Sequence, residues 1–118
     1  MSAPQTPDLD PEDAKLLTLA RGALARAEAD QGAAVRDSDG RTYAGAPVRT
    51  DALTLTALQV AAASALSSGA PGFEAAVLVN STPDDPGLAL LTEISPAAYA
   101  VLTDLRGRVT DRIEGVAP

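Results

Sequence analysis

Few side chains in this chain could carry out acid–base, nucleophilic or metal chemistry. Its 118 residues include no cysteine and no histidine. This excludes disulfides, thiolate catalysis, imidazole general-base catalysis and zinc sites built from cysteine or histidine. Lys15 is the only lysine, and therefore the one Schiff-base candidate, at an expected surface position. We predict no cofactor, no metal and no catalytic residue.

The remaining polar candidates have simple structural explanations. The speculative ligand-binding residues are Arg49, Thr56 and Ser95. A helical threonine usually bonds back to a helix carbonyl, and a serine without a histidine partner is more often a helix cap than a nucleophile. Asp84-Asp85 is interpreted as a solvated loop pair, because calcium would need several more oxygen ligands. Arg49 is the one charge expected near a pocket mouth.

Composition restricts the class of protein. Hydrophobic residues make up 46% of the chain and the formal net charge is −7. The first value predicts a folded domain, and the second argues against nucleic-acid or anionic-membrane partners, which both need a positive surface. No apolar run is long enough for a membrane span and no secretion signal is evident, so we expect a cytoplasmic protein.

The N-terminal part predicts a tail and a helix. Residues 1–9 are rich in proline and predict a flexible tail, which leaves 10–118 as a single domain. Asp10-Pro11 predicts a helix start, with an aspartate N-cap and a proline in the first turn. The helix should run to about Ala29, and its buried stripe is predicted to be Leu17, Ala20, Leu24 and Ala27.

The middle of the chain predicts a hairpin and then a buried helix. Strands at about 33–36 and 41–48 flank the turn 37–40, whose Asp and Gly residues are typical of hairpins. The stretch Leu53–Gly69 consists mainly of Ala, Leu, Thr and Ser, and Gly69 is placed to end a helix as its C′ residue. Because this helix carries no charge, it should be buried in the core or against a partner subunit.

The next stretch predicts the central strand of a sheet. Residues 73–80 are too apolar for a half-exposed strand and should be covered on both faces. Residues 81–87 form a loop rich in Pro, Asp and Gly. The segment 88–94 fits either a short strand or a helical turn.

The C-terminal part predicts a second helix and a last strand. Ser95-Pro96 fits a helix N-cap followed by proline, and the helix should extend to about Leu105. Tyr99 would lie on this helix and pack at a subunit boundary. Residues 108–116 predict one further strand.

The order of these elements resembles the cytidine deaminase family. In that family a hairpin leads to a helix that opens with Leu-Thr-x-Cys-Ala-Glu. The stretch Leu53-Thr54-Leu55-Thr56-Ala57-Leu58 falls on this motif. The resemblance places Thr56 at the zinc-binding cysteine or histidine and Leu58 at the catalytic glutamate.

A second family motif supports the resemblance. There, a strand leads to a helix that opens with Ser-Pro-Cys-x-x-Cys, and Ser95–Ala100 falls on it with Ala97 and Ala100 at the cysteine positions. The resemblance implies a three-layer α/β/α fold with a mixed sheet, which ends earlier here than in the family. It also implies a vestigial site at Thr56, Leu58, Ala97 and Ala100. The family's ribose-binding Asn-x-Glu is replaced by Pro47-Val48-Arg49. An unrelated α/β domain with an alanine-rich central helix is the alternative fold.

Three functions follow from this resemblance. We predict a catalytically inactive cytidine-deaminase-like protein that acts through binding or homo-oligomeric assembly, as a dimer or tetramer like members of the family. A nucleoside or nucleotide sensor is the first alternative, and the lost ribose and base contacts weigh against it. An enzyme with residual hydrolase activity is the second. Deamination needs zinc to activate water and a glutamate to move protons, and the motif positions offer neither.

Overall fold

The computed structural model describes residues 9–115, which form one five-stranded sheet, a two-stranded ribbon and three helices. The sheet order is β2-β1-β5-β6-β7, with β5 and β6 parallel and the other neighbours antiparallel. The ribbon pairs β3 with β4. In chain order the elements are α1 (Pro11–Arg26), β1 (Gly32–Asp37), β2 (Thr42–Gly45), β3 (Val48–Arg49), β4 (Thr54–Leu55), α2 (Ala57–Ser67), β5 (Phe73–Val79), α3 (Pro86–Ile94), β6 (Tyr99–Thr103) and β7 (Val109–Ile113).

The sheet lies between two helical layers, which confirms the predicted three-layer α/β/α fold. Successive strand residues point to opposite faces, so alternate positions belong to different cores. On one face, Val77 and Val101 pack with Leu16 and Ala20 of α1. On the other face, strand residues pack with α2 and α3, whose core contributions include Leu58, Ala61, Ala62, Ala65 and Leu91. The apolar segment predicted as the central strand is indeed β5, the middle of the five.

Helix α1 begins as the sequence predicts, but its buried face is shifted by about one residue. The Asp10 side chain accepts a hydrogen bond from the Asp13 amide at 2.8 Å. The buried α1 residues are Asp13, Leu16, Ala20 and Ala23. Of the predicted stripe only Ala20 is fully buried, while Leu17 and Leu24 are half-buried and Ala27 is exposed. The shift is small because the apolar surface of α1 is wide. The burial of Asp13 in the first turn is not part of the predicted stripe.

The central helix begins later than predicted. Thr54 and Leu55 form β4 rather than a helical turn, and Thr56 is the N-cap of α2. The β-branched threonines favour this extended start, since they lose rotamer freedom in a helix. The C-terminus agrees with the prediction, because Gly69 has φ +93° and follows the C-cap Ser68.

The helix predicted for residues 96–105 is wrong. The helix of this region is α3 (Pro86–Ile94), which includes the segment 88–94 and the last two residues of the predicted loop 81–87. Residues 99–103 form β6, which pairs in parallel with β5. Parallel neighbours need a crossover between them, usually a helix, so α3 must precede β6. Ser95, predicted as an N-cap, is the C-cap of α3. The final strand is confirmed as β7; Val116, the end of its predicted range, lies outside the described residues.

A buried polar network fixes α1 to the sheet. Arg36 of β1 is paired with Asp13 of α1 at 3.1 Å and with Glu74 of β5 at 2.6 Å. The Tyr99 hydroxyl lies 2.9 Å from both Asp13 carboxylate oxygens. Burial would lower the pKa of Arg36, but hydrogen bonds to Glu74, Tyr99 and Asp13 raise it overall. Burial, together with the bond to Asp13, raises the pKa of Tyr99. Tyr99 is the first residue of β6, so it lies on a strand and not on the predicted helix.

Within residues 9–115, no helix has the length and apolar character needed to cross a membrane. Of the predicted flexible tail, residues 1–8 lie outside the described part of the chain, so that prediction is untested.

Candidate functional site

Thr56 lies at the start of α2 and is fully engaged by hydrogen bonds. Its hydroxyl oxygen accepts from the Gln59 amide at 3.2 Å, and the Gln59 side chain accepts from the Thr56 amide at 2.9 Å. This reciprocal pair is a capping box. The Thr56 hydroxyl also donates to Asp85 Oδ1 at 2.9 Å. The prediction that this hydroxyl donates back to a carbonyl within the helix is therefore wrong, because Thr56 is the N-cap, accepts from the Gln59 amide and donates to Asp85.

Asp85 receives hydrogen bonds from three directions. Besides Thr56, the Gly87 amide donates to Oδ1 at 2.8 Å and the Ser81 hydroxyl donates to Oδ2 at 2.7 Å. Asp85 is the N-cap of α3, and only 7% of it is exposed. The interpretation of Asp84-Asp85 as a solvated pair thus holds for the exposed Asp84 alone.

Leu58 occupies the first turn of α2 and has no exposed surface. It packs under the first turn of α3, where Gly87 allows the backbone to approach closely. A Cβ atom built on Gly87 would lie 2.7 Å from Leu58 Cγ. The position beside the two helix starts is therefore filled by an apolar side chain.

The other predicted site positions lie apart from the start of any helix. Ala97 is exposed in the turn after α3, and Ala100 is buried within β6. The Ser95 hydroxyl oxygen accepts from the Phe73 amide at 2.8 Å, which joins the end of α3 to the start of β5. The assignment of Ala97 and Ala100 to the start of a helix, as the second family motif implied, is thus wrong. The ligand-binding role of Ser95 stays a prediction.

Arg49 lies on the ribbon rather than at the start of α2. Its guanidinium is 3.2 Å from Asp30 Oδ1, and both side chains are more than half exposed. Such a pair is weak and open to competition from solvent ions. Anion binding by Arg49 stays a prediction.

An open groove lies between the ribbon and the outer face of α2. Its volume is about 430 Å³, and within the described chain its lining contains no charged residue. The lining residues are Val48, Leu55, Val60, Ala63, Ser64, Ser67 and Ser68.

Comparison with protein-family models identifies the family to which this fold belongs. The family model described as cytidine deaminase-like matches residues 9–107. The chain belongs to this cytidine deaminase-like family. No curated protein sequence matches it significantly.

Solved structures agree with membership of the cytidine deaminase-like family. The chain is similar to cytidine deaminase from Burkholderia pseudomallei, with 25% identity, 86% of this chain and 91% of that chain covered, and a TM-score of 0.73. It has the same fold as the Mycobacterium leprae enzyme, with 22% identity, coverage of 86% and 93%, and a TM-score of 0.67. For the Mycobacterium tuberculosis enzyme the identity is 23%, the coverage 79% and 85%, and the TM-score 0.65.

The residues of this cytidine deaminase-like chain do not fit zinc. Protein zinc sites use cysteine, histidine and carboxylate ligands, and the sequence has neither cysteine nor histidine. Carboxylates do not compensate, since residues 9–115 contain no group of three or more acidic side chains able to hold a metal. At the starts of α2 and α3 the one buried carboxylate within residues 9–115 is Asp85, and it is already engaged by Thr56, Ser81 and Gly87.

Sequence reasoning missed Ser81, Asp85 and Gly87. The available signal was Asp85-Pro86, the same aspartate–proline helix start that was recognised at Asp10-Pro11. The pair Ser95-Pro96 is a weaker helix start, because serine and proline there follow the end of α3.

Proposed function

We propose that this chain is a catalytically inactive cytidine deaminase-like protein of the cytoplasm that acts through binding or homo-oligomeric assembly. The observation that carries the proposal is the fully buried Leu58 in the first turn of α2, where the family motif has its catalytic glutamate. A leucine cannot move protons. The lack of any cysteine or histidine in the chain removes the usual zinc ligands as well.

The second family motif is better placed at the start of α3, the helix that follows β5. Matching its Ser-Pro to Thr82-Pro83 puts Asp84 and Gly87 at the two cysteine positions. Matching it to Asp85-Pro86 puts Gly87 and Leu90 there. Either alignment supports the same conclusion, because neither supplies a pair of residues that could replace two thiolates.

We expect the purified protein to hold less than about 0.1 zinc per chain and to leave cytidine and deoxycytidine unchanged. The reason is the loss of both the activated water and the proton carrier, which together make deamination possible. Metal analysis by mass spectrometry and an ultraviolet assay of the same preparation measure the two quantities. About one tightly bound zinc per chain, or turnover above the uncatalysed rate, would contradict the proposal.

The groove beside α2 supports the assembly part of the proposal. In a chain with formal net charge −7, it combines Val48, Leu55 and Val60 with small side chains that allow close approach. Leu53, next to the ribbon, is 50% exposed. Apolar surface next to small residues is typical of contact faces, because it buries well without leaving charges unpaired.

We expect light scattering to report a dimer or tetramer at tens of micromolar, and Ala63→Arg to shift the protein to monomer. Ala63 is an exposed residue of the groove, so arginine there would place a charge in the contact face with little effect on the core. We expect the dissociation constant to rise by at least about tenfold, or 1.4 kcal/mol. The matched control is Ala25→Arg. Ala25 is exposed on α1, so this change should leave the oligomeric state as it is in the wild type. A monomeric wild-type protein would remove the assembly proposal.

A further inference from the structure

The N-termini of α2 and α3 are joined directly through a single carboxylate. The N-cap hydroxyl of one helix, Thr56, donates to the N-cap carboxylate of the other, Asp85, at 2.9 Å. Ser81, two residues after β5, donates to the same carboxylate at 2.7 Å. We infer that Thr56, Ser81 and Asp85 form a metal-independent clasp that does the structural work a zinc ion would do between the two family motifs. This goes beyond the proposed function, since it concerns how the site is held together.

Protein groups alone stabilise the negative charge of the Asp85 carboxylate. A carboxylate has about four lone-pair positions, and Asp85 accepts from two hydroxyls and from the Gly87 amide. It also caps α3 and contacts the cap of α2, so the positive ends of two helix dipoles face it. Hydrogen bonds to an ionised acceptor are about twice as strong as neutral ones, which suits a side chain only 7% exposed. The three donors and the two helix ends thus stabilise the negative charge of the carboxylate without a cation.

The same geometry works against a metal at this point. The Thr56 and Ser81 hydroxyls and the Gly87 amide all donate to Asp85, so a cation would have to compete with three donors for that carboxylate. It would also stand at the positive ends of α2 and α3, which favour anions. In a zinc site, thiolates supply the negative charge that the positive helix ends favour. In this chain, the Asp85 carboxylate with its three donors supplies it.

Leu58 and Gly87 complete the clasp on its apolar side. A Cβ atom at position 87 would lie 2.7 Å from Leu58 Cγ and 2.8 Å from its Cβ. A contact under about 3 Å forces the leucine or the helix to move, so a thiol ligand at this position is incompatible with Leu58 as it stands. The two apolar features therefore depend on each other: Gly87 makes room for Leu58, and Leu58 fills the space.

The test is thermal unfolding of the full chain, with clasp variants and a matched neighbour. We expect Asp85→Ala to lower Tm by roughly 10 °C, and Asp84→Ala, an exposed residue beside it, to lower Tm by less than about 3 °C. Thr56→Val should lower Tm by roughly 5 °C, while Thr56→Ser should restore it to within about 2 °C of wild type. Because Thr56→Val and Asp85→Ala remove the same hydrogen bond, the double variant should lose less than the sum of the two shifts. Strictly additive shifts, or equal shifts for Asp84→Ala and Asp85→Ala, would overturn the clasp.

A second measurement addresses the metal directly. Wild-type Tm should be unchanged, within about 1 °C, by excess chelator and by equimolar zinc chloride, because binding of zinc to the folded state alone would raise Tm. A fall with chelator or a rise with zinc would overturn metal independence. The clasp and the proposed inactivity can fail separately. Additive Tm shifts in a zinc-free, inactive protein would contradict only the clasp, and turnover of cytidine would contradict the proposed inactivity.

Discussion

Arg36→Leu is expected to lower the free energy of unfolding by about 3–5 kcal/mol. Arg36 is 6% exposed and Asp13 is 1% exposed, and their ion pair joins β1 to α1 at 3.1 Å. Removing the cation leaves the Asp13 carboxylate buried, with the Tyr99 hydroxyl as its side-chain donor and no direct ion-pair partner among residues 9–115. Breaking such a pair costs far more than the pair itself contributes, because an uncompensated charge stays in the core.

Urea unfolding followed by circular dichroism measures this loss. The control is Arg112→Leu, which removes an arginine paired with the exposed Glu114 and stacked on Tyr99 at 4.6 Å. We expect it to cost about 1 kcal/mol or less, as exposed pairs do. Asp13→Leu combined with Arg36→Leu should cost less than Arg36→Leu alone, since no buried charge is then left unpaired. Equal effects of Arg36→Leu and Arg112→Leu would show that burial of the network does not matter.

Leu58→Glu, the change that restores the family's catalytic residue, is expected to destabilise the protein by about 4 kcal/mol at pH 7 without creating deaminase activity. Leu58 has no exposed surface and packs against Gly87 and the rest of the α2 core. Burial raises the pKa of a glutamate by about 3–5 units from about 4.3, so the folded state keeps its proton at pH 7 while the unfolded state loses it. Over about 2.7 pH units at 1.36 kcal/mol each, this gives the expected cost.

The pH dependence provides the decisive measurement for Leu58→Glu. With the folded pKa raised, the ionisation part of the penalty is absent below the unfolded pKa of about 4.3 and grows as pH rises toward the folded pKa. The difference from wild type should therefore be smaller near pH 4, where only the cost of replacing buried leucine by a neutral carboxyl remains, than at pH 7. Leu53→Glu is the control, because Leu53 is 50% exposed and its glutamate stays hydrated at every pH. A pH-independent difference between Leu58→Glu and wild type would mean that the glutamate reaches solvent.

Local signals in the sequence were sufficient for much of the fold. The Asp10-Pro11 helix start, the Asp-Gly hairpin turn and the central strand at residues 73–79 all follow from cap chemistry, turn chemistry and apolar runs. The same kind of signal misled at Ser95-Pro96. A serine–proline pair is compatible with a helix start, but the apolar residues 99–103 fit a buried strand equally well. Only pairing with β5 settles which one forms.

What the sequence by itself determined is mainly chemical: a chain without cysteine or histidine has neither thiolate nor imidazole, whatever its fold. Only the tertiary structure decided where the remaining polar groups meet. Thr56 and Asp85 are 29 residues apart in sequence, yet their hydrogen bond joins two helices. Asp13, in the first turn of α1, meets Tyr99 across 86 residues. No local pattern encodes such contacts. The first depends on the crossover in which α3 connects the parallel strands β5 and β6, and the second depends on the packing of α1 against the opposite face of the sheet.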